Sequence, residues 1–398
     1  MKRVARSWYD FLPFPMIMTF ILVSIGQTLA ALGMMVIRLK WGVDFNSGDA
    51  MITASMYASF IGVWIVFLLA IILPGDNRPI LKTIGPGMRG NTIGMLLLGF
   101  VLGFVLNGFC VLMSIFSQDI SIYFDRFSPL SVLIIFILVF IQSSAEELAC
   151  RGYLYQRLSR RYNAAVAIIG NSALFALLHI MNPGVTLSSL LDIFITGILF
   201  SLLVYYFDSL WCAMALHAMW NFTQNIIFGL PNSGQVVPFS IFKLDAASAR
   251  DGLFYTVNFG VEGSWGSVIL LGIVTLILLV IGLVRRMQPT RLWEIIPDDE
   301  IGEAERKKAR GCLIAVIAAI IIMVLIVGGF VVGGNYILNG LTKGTITFRD
   351  LGIEDGEQFL KNLGIENGSE LFPPETFGKP KQEIQIPETA APGTQLIP

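Results

Sequence analysis

Apolar residues in this chain are gathered into long blocks instead of being spread at the short intervals of a soluble core. Nine such blocks occupy 13–37, 50–73, 93–117, 129–155, 163–181, 187–207, 209–229, 264–284 and 312–336. Each is close to the roughly 20 apolar residues that cross a bilayer as a helix. The pattern predicts an all-α polytopic membrane protein, a bundle of about eight to nine transmembrane helices. It also predicts an order of regions: N-terminal helices at 1–128, a helical core at 129–230, further helices with a charged linker at 231–338, and a polar, largely flexible tail at 339–398. The first block follows Lys2, Arg3 and Arg6 but is more than 20 residues long, with no small-residue cleavage site. It therefore reads as a first transmembrane helix and not as a removable signal.

Composition agrees with this class. Hydrophobic residues make up 55% of the 398 positions and charged residues only 14%, where a soluble domain carries about 25%. The net charge of −1 offers no basic field for a nucleic acid, and the apolar blocks make the lipid bilayer the expected surroundings. Cys110, Cys150, Cys212 and Cys312 sit in or beside apolar blocks without CxxC spacing, which excludes a disulfide framework or a zinc-finger pattern. With the N-terminus inside, seventeen Lys and Arg fall in cytoplasmic segments and five in the opposite loops. That asymmetry predicts a cytoplasmic N-terminus and, after nine spans, a tail on the opposite side.

Two segments change the picture little. Gly99 and Gly103 form a GxxxG pair on the third span, with Asn107 next in the same row, and this reads as close helix packing. The stretch 285–310 mixes both charge signs and reads as a solvated linker, while the last 25 or so residues have the composition of a disordered end.

The polar groups inside the fourth, fifth and seventh spans change it more. An ionisable side chain at mid-bilayer costs about 2.5–3.5 kcal/mol on insertion scales, so it faces the bundle interior and has a task there. In SSAEELACRGYLY, Glu147 and Arg151 are four residues apart and can pair on one helix face. Glu146 is turned about 100° from Glu147 and can point elsewhere, free to act as a base. The competing reading is an ion cluster that only fixes helix packing. The two histidines of the chain, His179 and His217, both lie in later apolar spans; Phe175 shares a face with His179, and Asn221 with His217. Together these side chains can supply a general base, an imidazole partner and donors for an oxyanion.

EELACR, FALLH and HAMWN, in that order, read as EExxxR, FxxxH and HxxxN. The set resembles the three motifs of the CPBP family of intramembrane proteases, which includes the CAAX prenyl endopeptidases, and covers roughly residues 129–230. The resemblance implies hydrolysis of a peptide bond of a membrane-associated protein or peptide. It assigns water activation to Glu146 assisted by His179, carbonyl polarisation and oxyanion stabilisation to His217 and Asn221, and support of the catalytic helix to Glu147, Arg151 and Phe175. Glu146, His179 and His217 are also a conceivable zinc set, although no HExxH is present. Metal-dependent and metal-free glutamate chemistry both stay open.

The spans place these residues unevenly. From the expected cytoplasmic ends, Glu146 and His217 lie roughly 12–14 Å deep and His179 roughly 24 Å. HIMNPG, beginning at His179, predicts a helix ending there. Two other classes compete with the protease. A transporter using the same groups for ion relay predicts paired, interrupted repeats, which the sequence does not show. The third class is a catalytically idle scaffold or immunity-type protein of the same family, against which the filled motif positions argue.

Overall fold

The computed structural model describes residues 2–5, 10–296, 339–351, 353, 355–362 and 371–378. Two compact units emerge, one formed by 1–37 with 44–313 and the other by 38–43 with 314–398.

The first unit is mostly helical. Its helices are α1 (Pro13–Trp41), α2 (Asp49–Ile72, broken at Ser59 and Phe60), α3 (Ile93–Phe116), α4 (Pro129–Ser159), α5 (Ala164–Leu178), α6 (Leu187–Phe207), α7 (Leu210–Asn221) and α8 (Trp265–Val284). Among the described residues six of these, all but α5 and α7, are long and apolar enough to cross a membrane. The fifth and seventh expected spans are shorter, and the ninth lies outside the described residues. The all-α expectation also needs correction: Lys2–Ala5 (β1) pairs in parallel with Trp293–Ile296 (β4), and Ile122–Phe124 (β2) pairs antiparallel with Phe242–Leu244 (β3). The β1–β4 pairing sets the chain before α1 and the chain after α8 side by side. The protein is an integral multi-pass membrane protein.

Helix starts follow from side-chain caps. Thr92, Asn163, Ser209 and Ser264 each accept a hydrogen bond from the backbone N–H three residues on, and Thr186 and Ser189 form a reciprocal capping box. Each satisfies a first-turn donor that hydrocarbon could not. Lipid-facing positions keep large apolar side chains exposed, such as Leu97, Val101 and Phe104 on α3. The opposite face of α3 carries Gly99 and Gly103. A Cβ on Gly103 would meet the Leu216 carbonyl oxygen and, at 2.9 Å, the Met219 Cβ; one on Gly99 would lie 2.8 Å from the Ala215 Cβ. The GxxxG pair therefore lets α3 lie directly against α7, the helix that carries His217 and Asn221. Asn107, next in the row, donates to Gln224 Oε1 at 2.8 Å just beyond α7.

Two helices change their winding beside the motifs. α4 is π-helical from Leu148 to Leu154, directly after Glu146 and Glu147, and α7 continues as a π-helix from Phe222 to Ile227, directly after Asn221. Such wide turns redirect side chains and are frequent at functional sites. The segment 229–263 then returns over the ends of α5 and α7, held by Asn225 Nδ2 on the Leu230 carbonyl at 3.0 Å and Asn182 Nδ2 on the Ser233 carbonyl at 2.9 Å.

In the second unit, Leu341, Phe348, Leu360 and Phe372 form a small apolar cluster around a helix at Gly356–Asn362 (α9), with Phe348 packed on the rings of Phe372 and Phe377.

Candidate active site

Measured from the helix ends, Glu146 and His179 lie at similar distances, while His217 stays seven residues, roughly 10 Å, from Leu210. α4 runs to Ser159, so Glu146 stands thirteen residues, roughly 20 Å, from that end. His179 caps α5 fifteen residues, roughly 22 Å, from Ala164. The fourth span had been expected to end too early, at 155; the helix termination expected at HIMNPG is where α5 stops.

Glu147 and Arg151 pair as expected, Nη1 to Oε1 at 3.0 Å, with both side chains wholly buried. Arg151 does more than neutralise a carboxylate. Its Nη2 donates to the Gly197 carbonyl at 3.0 Å, and its guanidinium lies 4.3 Å from the Phe175 ring centroid and 5.3 Å from that of Phe200. Gly197 admits this contact because α6 lies directly on α5: an added Cβ would be 2.8 Å from the Ser172 Cβ. Phe175 also packs edge-on against both imidazoles, 5.0 Å from His179 and 5.8 Å from His217.

Glu147 has a second partner that the sequence did not disclose. His217 Nδ1 lies 3.0 Å from the same Oε1 that Arg151 holds. A carboxylate only accepts, so Nδ1 carries a hydrogen and the other ring nitrogen, Nε2, is turned away from Glu147. That nitrogen faces Glu146 Oε2 at 3.8 Å. Glu146 is partly exposed but not unpartnered, because its Oε1 accepts from Gln142 Nε2 at 2.6 Å. Asn221 Nδ2 reaches Gln142 Oε1 at 3.3 Å and Ser143 Oγ at 3.2 Å. Glu146, Glu147, Arg151, Phe175, His217 and Asn221 are thus brought together.

Among the described residues no hydrogen bond or ion pair joins His179 to either carboxylate. His179 Nδ1 donates to the Phe175 carbonyl at 2.8 Å. The pairing of Glu146 with an imidazole is made by His217. Nor do Glu146, His179 and His217 suit a metal: among the described residues no three His, Cys, Asp or Glu side chains are grouped to hold one. Glu147 already occupies His217 Nδ1, and no third donor joins Nε2 and Glu146, whereas zinc takes three or four convergent protein ligands.

Gln142, Ser143 and Phe200 escaped the sequence reading. QSS in an apolar span is a legible signal, since Gln142 precedes Glu146 by one helical turn. Phe200, one of many large apolar residues on α6, leaves none.

Fold and site together define a polytopic helical membrane protein with a buried carboxylate, imidazole and amide centre. Residues 128–223 match the family model of type II CAAX prenyl endopeptidase Rce1-like proteins, so this segment is a CAAX-protease-like (CPBP) domain and the resemblance carried by the three motifs holds there. The matched segment contains every motif residue and ends before the returning segment 229–263. No curated protein and no solved structure matches the chain.

Proposed function

We propose that this protein is an intramembrane endopeptidase that hydrolyses a peptide bond of a membrane-associated protein or peptide, with Glu146 as general base. The observation that carries the reading is the division of labour between adjacent glutamates. Glu147 is committed to Arg151 and to His217 Nδ1, while Glu146 turns an oxygen toward His217 Nε2 across 3.8 Å. That gap is too wide for a direct hydrogen bond and suits a water bridging the two groups.

In this reading Glu146 takes a proton from the water, and the hydroxide oxygen bonds to the scissile carbonyl carbon. The developing oxyanion draws on Asn221 Nδ2, whose present bonds of 3.3 and 3.2 Å are long enough to be exchanged. The carbon–nitrogen bond then breaks, and the proton held by Glu146 passes to the leaving amine. His217 orients the water. His179, with Nδ1 engaged by its own helix, offers Nε2 as a second proton carrier. No step runs through a metal. The N-terminus is proposed to be cytoplasmic and the chain after the ninth span on the opposite side.

The test is a quantitative profile of new peptide termini in host membranes carrying wild type, Glu146→Gln or no protein. Termini present only with wild type support the proposal. Identical profiles for wild type and Glu146→Gln at equal expression, both differing from the strain without the protein, overturn it in favour of a scaffold.

A further inference from the structure

The site does not end with the matched domain. Glu262 lies in a single 3-10 turn, Val261–Gly263, immediately before α8, yet its carboxylate is buried against the end of α7. Oε1 accepts from Trp220 Nε1 at 2.9 Å and from Asn232 Nδ2 at 3.1 Å. Oε2 accepts from the Ser233 backbone N–H at 2.7 Å and from the Ser233 hydroxyl. Trp220 is the neighbour of Asn221, and Ser233 is held in the left-handed region, at φ +47°, a conformation that non-glycine residues adopt rarely. One carboxylate thus ties the returning segment to the helix bearing Asn221.

We propose that Glu262 is a positioning residue for Asn221, acting through Asn232 to keep the Asn221 amide nitrogen turned into the site. This deepens the protease reading and rests on it for its catalytic consequence. Asn232 Nδ2 donates a second hydrogen to Asn221 Oδ1 at 3.3 Å. Asn221 Nδ2 donates to Gln142 Oε1 at 3.3 Å, and Gln142 Nε2 donates to Glu146 Oε1 at 2.6 Å. Three amides therefore stand head to tail between two carboxylates.

An amide has one accepting and one donating end, so reversing any member of the row sets oxygen against oxygen. While Glu146 is ionised, both ends of the row impose the same direction. Once Glu146 has taken the proton from water it can itself donate, and its end no longer dictates the order. Glu262 at the far end still only accepts. It keeps Asn221 Nδ2 aimed inward at the stage when the oxyanion needs a donor.

The test follows the Asn221 side-chain amide by NMR in protein labelled with 15N-asparagine, the signals being assigned by their loss in Asn221→Asp. Glu262→Ala and Asn232→Ala should each shift both Asn221 amide signals. Glu262→Gln, whose Oε1 can still accept from Trp220 and Asn232, should shift them less. On the termini that depend on Glu146, Glu262→Ala and Asn232→Ala should each slow cleavage about tenfold or more, approaching the loss of one oxyanion donor. In the Asn221→Ala background neither should add further loss, because each acts through Asn221.

Unmoved Asn221 signals in both alanine variants overturn the proposal, as does a Glu262→Ala effect that multiplies with Asn221→Ala. If Glu262→Ala does not fold, Asn232→Ala and Glu262→Gln carry the test. Should no terminus depend on Glu146, the protease reading fails, while the NMR comparison still decides whether Glu262 orients Asn221.

Discussion

His217 Nδ1 and Arg151 Nη1 each lie 3.0 Å from one oxygen, Glu147 Oε1. This shared acceptor explains how an arginine that is fully buried in a membrane helix is tolerated and how an imidazole is held in one orientation. The cationic guanidinium compensates the carboxylate, and the carboxylate in turn orders the ring that faces Glu146. Burying Glu147 and Arg151 thus ties the packing of α4 to the orientation of the His217 ring.

Removing either member of this pair leaves the other buried and uncompensated, at a cost of about 3–5 kcal/mol. Glu147→Ala and Arg151→Ala should each lower the melting temperature of the purified protein, and the double variant should lose less than the two combined. Arg151→Lys should also destabilise, because an ammonium cannot both stack on Phe175 and Phe200 and reach Glu147 and the Gly197 carbonyl. A melting temperature unchanged in Arg151→Ala would refute this account.

Gln142 is expected to matter for both rate and folding. Its Nε2 supplies a hydrogen bond to Glu146 at 2.6 Å, of a kind worth about 1.5–3 kcal/mol of stability when the acceptor is charged, and its Oε1 accepts from Asn221. Gln142→Leu should lower the melting temperature and reduce cleavage by about tenfold or more, since it leaves both Glu146 and Asn221 without that partner. Terminus profiling and thermal melting on the same preparation decide it.

The third helix offers an internal control for the packing argument. Gly103→Val should force α3 away from the Leu216 carbonyl and with it displace the helix carrying His217 and Asn221. At Gly108 an added Cβ meets no atom within 4 Å, so Gly108→Ala should be tolerated. Comparable yields and melting temperatures for the two variants would contradict the close contact of α3 with α7.

A pH effect is expected at the β2–β3 pair. Arg126, hydrogen bonded to Asp125 at 2.6 Å, holds that carboxyl below the usual carboxylate range, with Lys243 at 3.2 Å adding to it. A depressed folded value means that the contribution is fully present above the unfolded value of about 3.9 and is lost as pH falls through the folded one. Amide exchange at Asp125, whose N–H donates to the Ile241 carbonyl at 3.0 Å, should lose local protection at the acid end, and Asp125→Asn should abolish the dependence.

Much of this arrangement was legible along the chain because it is local. Glu147 and Arg151, Phe175 and His179, and His217 and Asn221 are each four residues apart, and a single helical turn brings such pairs together whatever surrounds them. The same holds for Gly99 and Gly103. The apolar blocks were legible too, since hydrocarbon forces backbone groups to bond within the segment.

What joins those local pairs was decided elsewhere. Two π-helical turns follow directly on Glu147 and on Asn221, and π winding leaves no periodic mark in an apolar run. The lengths of α4 and α5 brought Glu146 and His179 to similar depth, although hydropathy blocks had set them apart. The meeting of His217 with Glu147 spans seventy residues, and that of Glu262 with Asn232 and Trp220 depends on a returning segment with no repeat or motif. By itself the sequence determined the membrane class, the helices and the residues able to do chemistry, because these follow from transfer free energy and helical spacing. Only the tertiary structure decided which imidazole faces Glu146 and which amides stand between it and Glu262, because such choices rest on contacts between distant segments.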